Sequence, residues 1–368
     1  MASWRYHNPV DVHFGAGALP GLPALIRGRT VTLVTFPEAA ALGLTGRLQQ
    51  ILGAALVQVV ADTEPNPDVA SLGTLYRRFW AKGDGGEVLL AVGGGSVIDT
   101  AKALMVGTAD GSFEALVALL ADGKPFTPHR VRPLIAVPTT AGTGSEVTPW
   151  ATIWDRAAAQ KYSLHLAETW PEAALVDAEL TRSLPAAPTL AAGLDALSHA
   201  LEAIWNVNAN PVSDTHAVTA ARLVLATLPA LMQDLGSTEL RSRQARAALQ
   251  AGLAFSNTKT ALAHSISYAM TLRHGLPHGI ACSFTLPMVL ERAIGTDLAR
   301  DHLLATVFDG RLHDAPQTLA DFLERLGVST RFDAYGVSDP EARRLVADAL
   351  DGVRGRNFVG AKHAPALG

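Results

Sequence analysis

The chain has 368 residues, of which 48% are hydrophobic and only 17% are charged, a composition that excludes intrinsic disorder and is ample for a packed core. The 30 lysines and arginines stand against 34 acidic residues, so a net charge of −4 gives no electrostatic footprint for nucleic acid. The length exceeds what one hydrophobic core usually supports, and two domains are therefore expected.

Strand and helix patterns alternate in the first half of the chain. Strands are predicted at residues 31–36, 56–60, 88–92, 134–137 and 174–176, and helices at 68–82 and 98–105. Strands separated by helices form a mainly parallel sheet that is covered on both faces. Residues 1–180 are therefore predicted to form an α/β domain.

The second half has a different pattern, rich in alanine and leucine with helical periodicity. Helices are predicted at residues 190–205, 213–233, 240–256 and 314–326, and convincing strand signals are scarce. Residues 181–368 are therefore predicted to form an all-α domain.

The sequence has no feature of an exported or membrane-bound protein. Its N-terminus lacks the apolar stretch of a signal peptide, and no apolar run approaches the roughly 18 residues of a membrane span. The single cysteine, Cys282, excludes a disulfide within the chain, which suits a reducing compartment. We expect a soluble cytoplasmic protein without a membrane or nucleic-acid partner.

Two glycine-containing loops follow predicted strands. The first is GGGSVID at 93–99, and the second is PTTAGTGSEVT at 138–148, where hydroxyl groups alternate with glycines. Glycines let the backbone approach a phosphate, and a following helix N-terminus offers unpaired N–H groups. The spacing is neither GxGxxG nor a P-loop, so tight capped turns are the alternative. Two loops above one sheet edge favour a cofactor that carries a pyrophosphate.

A second group of residues suggests a metal site. Asp195 and His199 are four residues apart on one face of a predicted helix, and His264, His274 and His278 lie within 15 residues of one another. One carboxylate and three imidazoles suit a divalent transition metal such as Fe²⁺ or Zn²⁺. A histidine on a helix is more often an ordinary surface or core residue, which is the alternative for each one singly. With a lone cysteine, the proposed site is built from Asp and His.

The sequence resembles the iron-containing, or group III metal-dependent, alcohol dehydrogenases. The resemblance runs through HFG at 13–15, EPNP at 64–67, both glycine loops, residues 193–202 and PHG at 277–279. It implies an N-terminal NAD(P)-binding domain and a C-terminal helical metal-binding domain, an architecture shared with dehydroquinate synthase. It also implies NAD(P)H as cofactor, and a homodimer is common in the family.

The resemblance assigns roles to individual residues. The metal ligands would be Asp195, His199, His264 and His278. The cofactor-binding residues would be Asn66, Gly94, Gly95, Ser96, Asp99, Thr139, Thr140, Thr143, Thr148 and Lys161.

Two departures from the family pattern affect these assignments. Many NAD-using members carry an acidic residue after the first strand, where this chain has Val34-Thr35-Phe36, so NADPH becomes permissible. Members often carry another histidine four residues after the third ligand, where this chain has Tyr268. A proton-relay role therefore passes to His274 as the substitute candidate.

Residues 205–211 (WNVNANP) and 271–278 (TLRHGLPH) resemble the phosphonoacetaldehyde reductases of phosphonate and antibiotic biosynthesis. The implied reaction reduces phosphonoacetaldehyde to 2-hydroxyethylphosphonate. A phosphonate dianion requires cations near the metal, and Arg273 and Lys259 are the substrate-binding candidates. Arg354 or Arg356 could also contribute from the C-terminal segment, and ordinary solvated basic residues are the alternative.

The sequence therefore predicts metal-dependent hydride transfer between NAD(P)H and an aldehyde. Reduction of another small aldehyde, such as lactaldehyde or succinic semialdehyde, is the first alternative. A non-redox enzyme of the dehydroquinate synthase type and a catalytically idle binding protein are the other two. No Ser-His-Asp nucleophile motif is present, so covalent catalysis is not expected.

Overall fold

The computed structural model describes residues 3–83 and 85–363, which divide into two compact units. Pro9–Thr140 and Ser145–Thr181 form the sheet unit, and residues 3–8, Ala141–Gly144 and 182–363 form the helical unit. The second glycine loop therefore contributes to both units, since its segment Ala141–Gly144 groups with the helices.

The sheet unit is built on a six-stranded parallel sheet of β1 (Asp11–Phe14), β2 (Val31–Val34), β3 (Leu56–Val60), β4 (Val88–Gly93), β7 (Leu134–Pro138) and β10 (Ala173–Val176). The strand order is β1-β10-β7-β4-β2-β3. Two antiparallel pairs accompany it, formed by β5 (Val106–Gly107) with β6 (Arg130–Val131) and by β8 (Trp150–Asp155) with β9 (Gln160–His165). Its helices are α1 (Leu22–Ile26), α2 (Leu44–Leu52), α3 (Val69–Ala81), α4 (Gly95–Met105) and α5 (Glu114–Asp122).

The central strands are buried on both faces, which explains their continuous apolar sequences. In β4, Leu89 and Ala91 join one hydrophobic cluster, whereas Val88, Leu90 and Val92 join the other. Side chains of a strand alternate between the two faces of the sheet, so helices cover both sides of β4. The predicted α/β class with a mainly parallel sheet is confirmed.

Strands with less apolar sequences escaped prediction. β1 lies at a sheet edge and has exposed side chains at three of its four positions, so it lacks an apolar run. The β8–β9 hairpin lies outside the parallel sheet, and β9 (QKYSLH) is mostly polar.

The helical unit contains nine α-helices among its described residues. They are α6 (Ala186–Ile204), α7 (Pro211–Gln233), α8 (Thr238–Thr258), α9 (Leu262–His274), α10 (His278–Ser283), α11 (Leu286–Ala293), α12 (Leu298–Val307), α13 (Ala315–Arg325) and α14 (Asp339–Asp351). One hydrophobic cluster connects them, and alanines such as Ala220 and Ala251 let the long helices pack closely. The predicted helical C-terminal domain is confirmed as a fold class.

α7 is long and apolar enough to cross a membrane by length and composition alone. Its residues Ala217, Ala221, Val224 and Leu228 are fully buried in the core of the helical unit. One face of α7 is therefore packed into the hydrophobic cluster of the helical unit.

Candidate active site

The two glycine loops meet at the carboxyl edge of the parallel sheet. β4 and β7 are neighbours whose last residues pair, and the N–H of Thr139 donates to the carbonyl of Gly93 at 2.9 Å. A Cβ atom at Gly94 would lie 3.3 Å from the side chain of Thr140, so glycine keeps the two loops close. The predicted convergence of Gly94, Thr139 and Thr140 is therefore present in the sheet unit.

The N-terminus of α4 has the features of an anion site. Gly94 is its N-terminal cap, Gly95 is its first residue, and no side chain caps its first turn. Such a turn presents backbone N–H groups and the positive end of the helix dipole. The hydroxyl of Ser96 accepts a hydrogen bond from the N–H of Asn66, which has a left-handed φ of 56°. This contact joins the EPNP turn at residues 64–67 to the first glycine loop at residues 93–99.

Asp99 and Lys102 form a buried polar network below this loop. The carboxylate of Asp99 accepts from the Ser145 hydroxyl at 2.6 Å and from the Thr152 N–H at 2.9 Å. Lys102 donates to the Ser145 carbonyl at 2.6 Å and to the Trp150 carbonyl at 2.7 Å. Burial lowers the pKa of Lys102 to about 8, and the nearby charge of Asp99 partly offsets this decrease. This network fixes the start of the segment that follows the second glycine loop.

The remaining predicted cofactor residues occupy three places. Thr148 is buried, with its hydroxyl 3.5 Å from Nζ of Lys102. Lys161 lies on β9, and its Nζ is 3.5 Å from the hydroxyl of Ser163. Thr143 belongs to the Ala141–Gly144 segment of the helical unit.

In the helical unit, α6 presents three polar side chains on one buried face. Asp195, His199 and Glu202 have the spacing i, i+4 and i+7, and each is at most 5% exposed. Nε2 of His199 lies 3.8 Å from Oδ1 of Asp195. Most of the other side chains of α6 are apolar, so these three groups need partners on other helices.

α9 and α10 bring two further histidines to this face. Nε2 of His264 on α9 lies 3.4 Å from Oδ1 of Asp195. The ring of His264 stacks on that of His199 with a centroid distance of 4.5 Å, and it meets the His278 ring edge-on at 5.5 Å. The structure therefore brings together all four residues that the resemblance assigned as metal ligands.

The pKa shifts of Asp195 and His199 favour a charged carboxylate beside a neutral imidazole. Burial by itself raises the pKa of Asp195, but the imidazoles of His199, His264 and His278 lower it below its usual range. Burial lowers the pKa of His199 to about 4, so this ring is neutral at neutral pH. A buried carboxylate beside a neutral imidazole is the donor chemistry that a divalent metal requires.

Glu202 and Cys282 lie beside His264 and affect its pKa. Burial opposes the charged form of His264, yet Cys282, Glu202 and Asp195 together raise its pKa well above the usual value. Burial also raises the pKa of the Cys282 thiol, so the negative charge acting on His264 at neutral pH comes from the carboxylates.

The arrangement fits a metal ion because it leaves lone pairs without partners. Among the described residues, Oδ1 of Asp195, Nε2 of His264 and Nδ1 of His199 are buried without a hydrogen bond. Ligand atoms of Asp195, His264, His278 and Cys282 all lie within 4.8 Å of one another. Buried polar atoms without partners are rare and costly, and coordination to a cation would satisfy them.

Cys282 enters this group although the sequence predicted a site of Asp and His alone. Its Sγ lies 3.5 Å from Nε2 of His278, one helical turn earlier on α10. The i, i+4 spacing from His278 was the signal that could have identified it. Glu202 carried a similar signal, since it shares a helix face with Asp195 and His199.

The close approach of α10 to α6 depends on Gly279. A Cβ atom at Gly279 would lie 1.8 Å from the carbonyl oxygen of Ala191, one turn before Asp195 on α6. The Ser198 hydroxyl adds a second contact by donating to the Cys282 carbonyl at 2.6 Å. These two contacts fix the position of His278 beside Asp195.

We expect Gly279→Ala to lower the free energy of unfolding by about 3 kcal/mol or more, because the added methyl group meets backbone atoms that cannot yield. It should also displace His278 and reduce zinc retention. Thermal denaturation and metal analysis of the purified variant measure both effects. Gly236→Ala is the matched control, since its Cβ atom would meet only Oδ1 of Asp234 at 3.5 Å. A variant as stable as this control would contradict the packing argument.

The side chain of Arg354 lies along the side of α9 that carries His264. Thr260, His264 and Tyr268 are spaced four residues apart, which places the last two on one face of the helix. Arg354 donates to the hydroxyl of Thr260, and its Cζ lies 5.5 Å from the centre of the Tyr268 ring. Arg354 therefore extends from Thr260 to Tyr268 beside the segment that carries His264.

The structure does not place the other predicted cations with the ligand group. Arg273 is exposed and nine residues beyond His264 on α9, about 180° around the helix. The Lys259 side chain is exposed, and its backbone has a left-handed φ of 67°. Arg356 is exposed and donates to the Asp351 carbonyl.

His274, the candidate proton donor, also lies away from the ligands. It is ten residues beyond His264, about 15 Å along the helix axis. Its Nε2 lies 3.3 Å from a carboxylate oxygen of Glu341 on α14. Its position therefore favours a structural contact between α9 and α14.

Comparisons with known proteins give the family. The family described as iron-containing alcohol dehydrogenase matches residues 9–178, and its C-terminal counterpart matches residues 189–365. The parallel-sheet unit, the helical unit and the Asp/His cluster define a metal-dependent dehydrogenase of this type. The chain belongs to the iron-containing alcohol dehydrogenase family and is an oxidoreductase that acts on alcohols and aldehydes.

Individual relatives differ in their substrates. The chain is 35% identical over 320 residues to phosphonoacetaldehyde reductase of Streptomyces viridochromogenes, covering 79% of this chain and 76% of the relative. It is 33% identical to NAD-dependent methanol dehydrogenase of Bacillus methanolicus, covering 73% and 71%. The crystal structure of sulfoacetaldehyde reductase from Bifidobacterium kashiwanohense in complex with NAD⁺ superposes with a TM-score of 0.88 at 28% identity, covering both chains fully.

Proposed function

We propose that this protein reduces a small anionic aldehyde to the alcohol with NAD(P)H, and that the aldehyde is phosphonoacetaldehyde. The observation that carries the choice of an anionic substrate is the position of Arg354 beside Thr260 and Tyr268, along the side of α9 that carries His264. A guanidinium binds the oxygens of a phosphonate in a bidentate manner, which a neutral aldehyde cannot exploit. The 35% identity to a phosphonoacetaldehyde reductase supports the phosphonate within this class.

In the sheet unit, the proposed cofactor site uses backbone groups more than side chains. The first turn of α4 and the neighbouring Thr139–Thr140 backbone offer donors to a pyrophosphate. The Asp99–Lys102 network keeps the adjacent segment in place, which is a positioning role. When bound, the nicotinamide cofactor supplies the hydride.

The residues after β2 allow either nicotinamide cofactor. Thr35 uses its hydroxyl to donate to the Val92 carbonyl, and Phe36 packs against a hydrophobic cluster. Neither provides a carboxylate that would repel a 2′-phosphate. We therefore propose that NADPH is accepted as well as NADH.

In the helical unit, Asp195, His199, His264 and His278 would hold the metal. When bound, Fe²⁺ or Zn²⁺ supplies a Lewis acid for the substrate oxygen. Asp195 would provide the negative charge of this ligand set, and the imidazoles, with no more than one ring proton each, would provide nitrogen lone pairs. Burial raises the pKa of Tyr268, so its hydroxyl stays protonated and can donate a hydrogen bond, but it is a poor proton-relay base.

Steady-state kinetics with phosphonoacetaldehyde, sulfoacetaldehyde, lactaldehyde and acetaldehyde test the proposal, each with NADH and NADPH. We expect kcat/KM for phosphonoacetaldehyde to exceed that for acetaldehyde by about 100-fold, the discrimination that loss of a buried charge contact can produce. A preference for sulfoacetaldehyde would keep the anionic class and exclude the phosphonate. Equal values for neutral aldehydes would exclude the anionic substrate.

The same assays distinguish the alternatives. Stoichiometric oxidation of NAD(P)H by an aldehyde excludes a non-redox cycle of the dehydroquinate synthase type, and the absence of any aldehyde-dependent oxidation would indicate an idle binding protein. We further propose a cytoplasmic homodimer in phosphonate or antibiotic biosynthesis, which sedimentation and cell fractionation can test.

A further inference from the structure

We infer that Glu202 is a positioning residue that holds His264 in the one ring orientation and tautomer that can bind the metal. The inference rests on the proposed metal site and concerns a residue outside its ligand set. Glu202 has no exposed surface, and it lies on α6 one turn beyond His199.

The carboxylate of Glu202 accepts three N–H donors from the start of α9. Oε2 lies 2.6 Å from Nδ1 of His264 and accepts from the Ala261 N–H at 2.9 Å. Oε1 accepts from the backbone N–H of His264 at 3.1 Å. The same side chain therefore binds both the backbone and the ring of His264, which fixes the ring relative to the helix.

These contacts determine which ring nitrogen carries the proton. A carboxylate that already accepts two backbone N–H groups requires a donor at Nδ1, so the proton of the neutral ring resides there. Nε2 then keeps its lone pair, and this atom is the one buried 3.4 Å from Oδ1 of Asp195 without a hydrogen bond. A carboxylate behind a ligand histidine also increases the basicity of the ligating nitrogen.

A purely structural role is the competing explanation, because Glu202 also satisfies backbone groups at the N-terminus of α9. Loss of such a cap lowers stability without a specific effect on metal affinity. Asp214 provides the matched control for this possibility. It is a buried carboxylate of the same unit, it accepts from Nη2 of Arg300 at 2.9 Å, and it lies outside the ligand group.

The experiment compares Zn²⁺ affinity in the purified full-length wild type, Glu202→Gln and Asp214→Asn by chelator competition. Thermal denaturation of the three metal-free proteins measures their stability in parallel. Ligand-supporting residues of this kind typically change metal affinity by about 10- to 100-fold. We expect a loss of this size in Glu202→Gln, whereas Asp214→Asn loses thermal stability but keeps its Zn²⁺ affinity within about twofold.

A spectroscopic measurement on the wild type keeps the inference testable if Glu202→Gln does not fold. Nitrogen-15 NMR of histidine-labelled, metal-free protein, recorded at a pH where the His264 ring has lost its second proton, should show the remaining proton on Nδ1, and a remaining proton on Nε2 would overturn the inference. Wild-type Zn²⁺ affinity in Glu202→Gln, or a loss no larger than in Asp214→Asn, would also overturn it. Wild-type protein that binds no Zn²⁺ would instead overturn the proposed metal site itself, so the two failures are distinguishable.

Discussion

Replacing His264 by alanine is expected to remove the bound metal and the aldehyde reductase activity together. The imidazole lies 3.4 Å from Oδ1 of Asp195, stacks on His199 and is nine-tenths or more buried, so its loss removes a ligand from the interior of the site. Removing one group that stabilises a developing oxyanion costs about 100- to 1000-fold in kcat, and loss of the metal should cost at least as much.

Metal analysis and kinetics on the same preparation measure both effects of His264→Ala. His302→Ala is the control, because His302 is an exposed histidine on α12 of the same unit. A His264→Ala protein that turns over aldehyde at the wild-type rate without metal would contradict the assignment of the site.

Replacing Arg354 by methionine is expected to lower kcat/KM for phosphonoacetaldehyde by about 30-fold or more, since loss of one partner of a desolvated charge pair costs at least about 2 kcal/mol. Acetaldehyde carries no charge, so its kcat/KM should change by less than about threefold. Methionine keeps much of the length of the arginine stem and its packing against Tyr268.

Two variants separate recognition of the substrate from support of the Thr260 segment. Arg356→Met removes an exposed arginine only two residues away and should leave both substrates unaffected. Arg354→Lys keeps the charge without the planar guanidinium, and should retain part of the preference for the anion. An equal loss on charged and neutral aldehydes in Arg354→Met would show that Arg354 is only structural.

The parallel sheet was predictable because its central strands are buried on both faces. A strand such as β4 or β7 leaves a continuous apolar run in the sequence, and its predicted bounds agree with the structure to within one residue. β1 was missed because an exposed edge strand has no such run, and the β8–β9 hairpin because polar residues interrupt it. The segment Ala141–Gly144 shows another limit, since nothing in a local pattern indicates that four residues of a loop group with distant helices.

The candidate site was predictable only where its geometry is local. The i, i+4 spacing placed Asp195 and His199 on one helix face, but the positions of His264 and His278 depend on how α9 and α10 pack against α6. The resemblance to a family supplied those two residues. Arg354 shows the same dependence, because its contacts with Thr260 and Tyr268 join segments far apart in the sequence.

The contact between Gly279 and the Ala191 carbonyl has a consequence for how this site tolerates sequence change. The distance between α6 and α10 is determined by two backbones, whose atoms are the same for every amino acid. Substitutions in the surrounding alanine- and leucine-rich core can weaken or strengthen the unit while the spacing of Asp195 and His278 stays constant. Core residues can therefore change without moving the metal ligands, as long as residue 279 remains glycine.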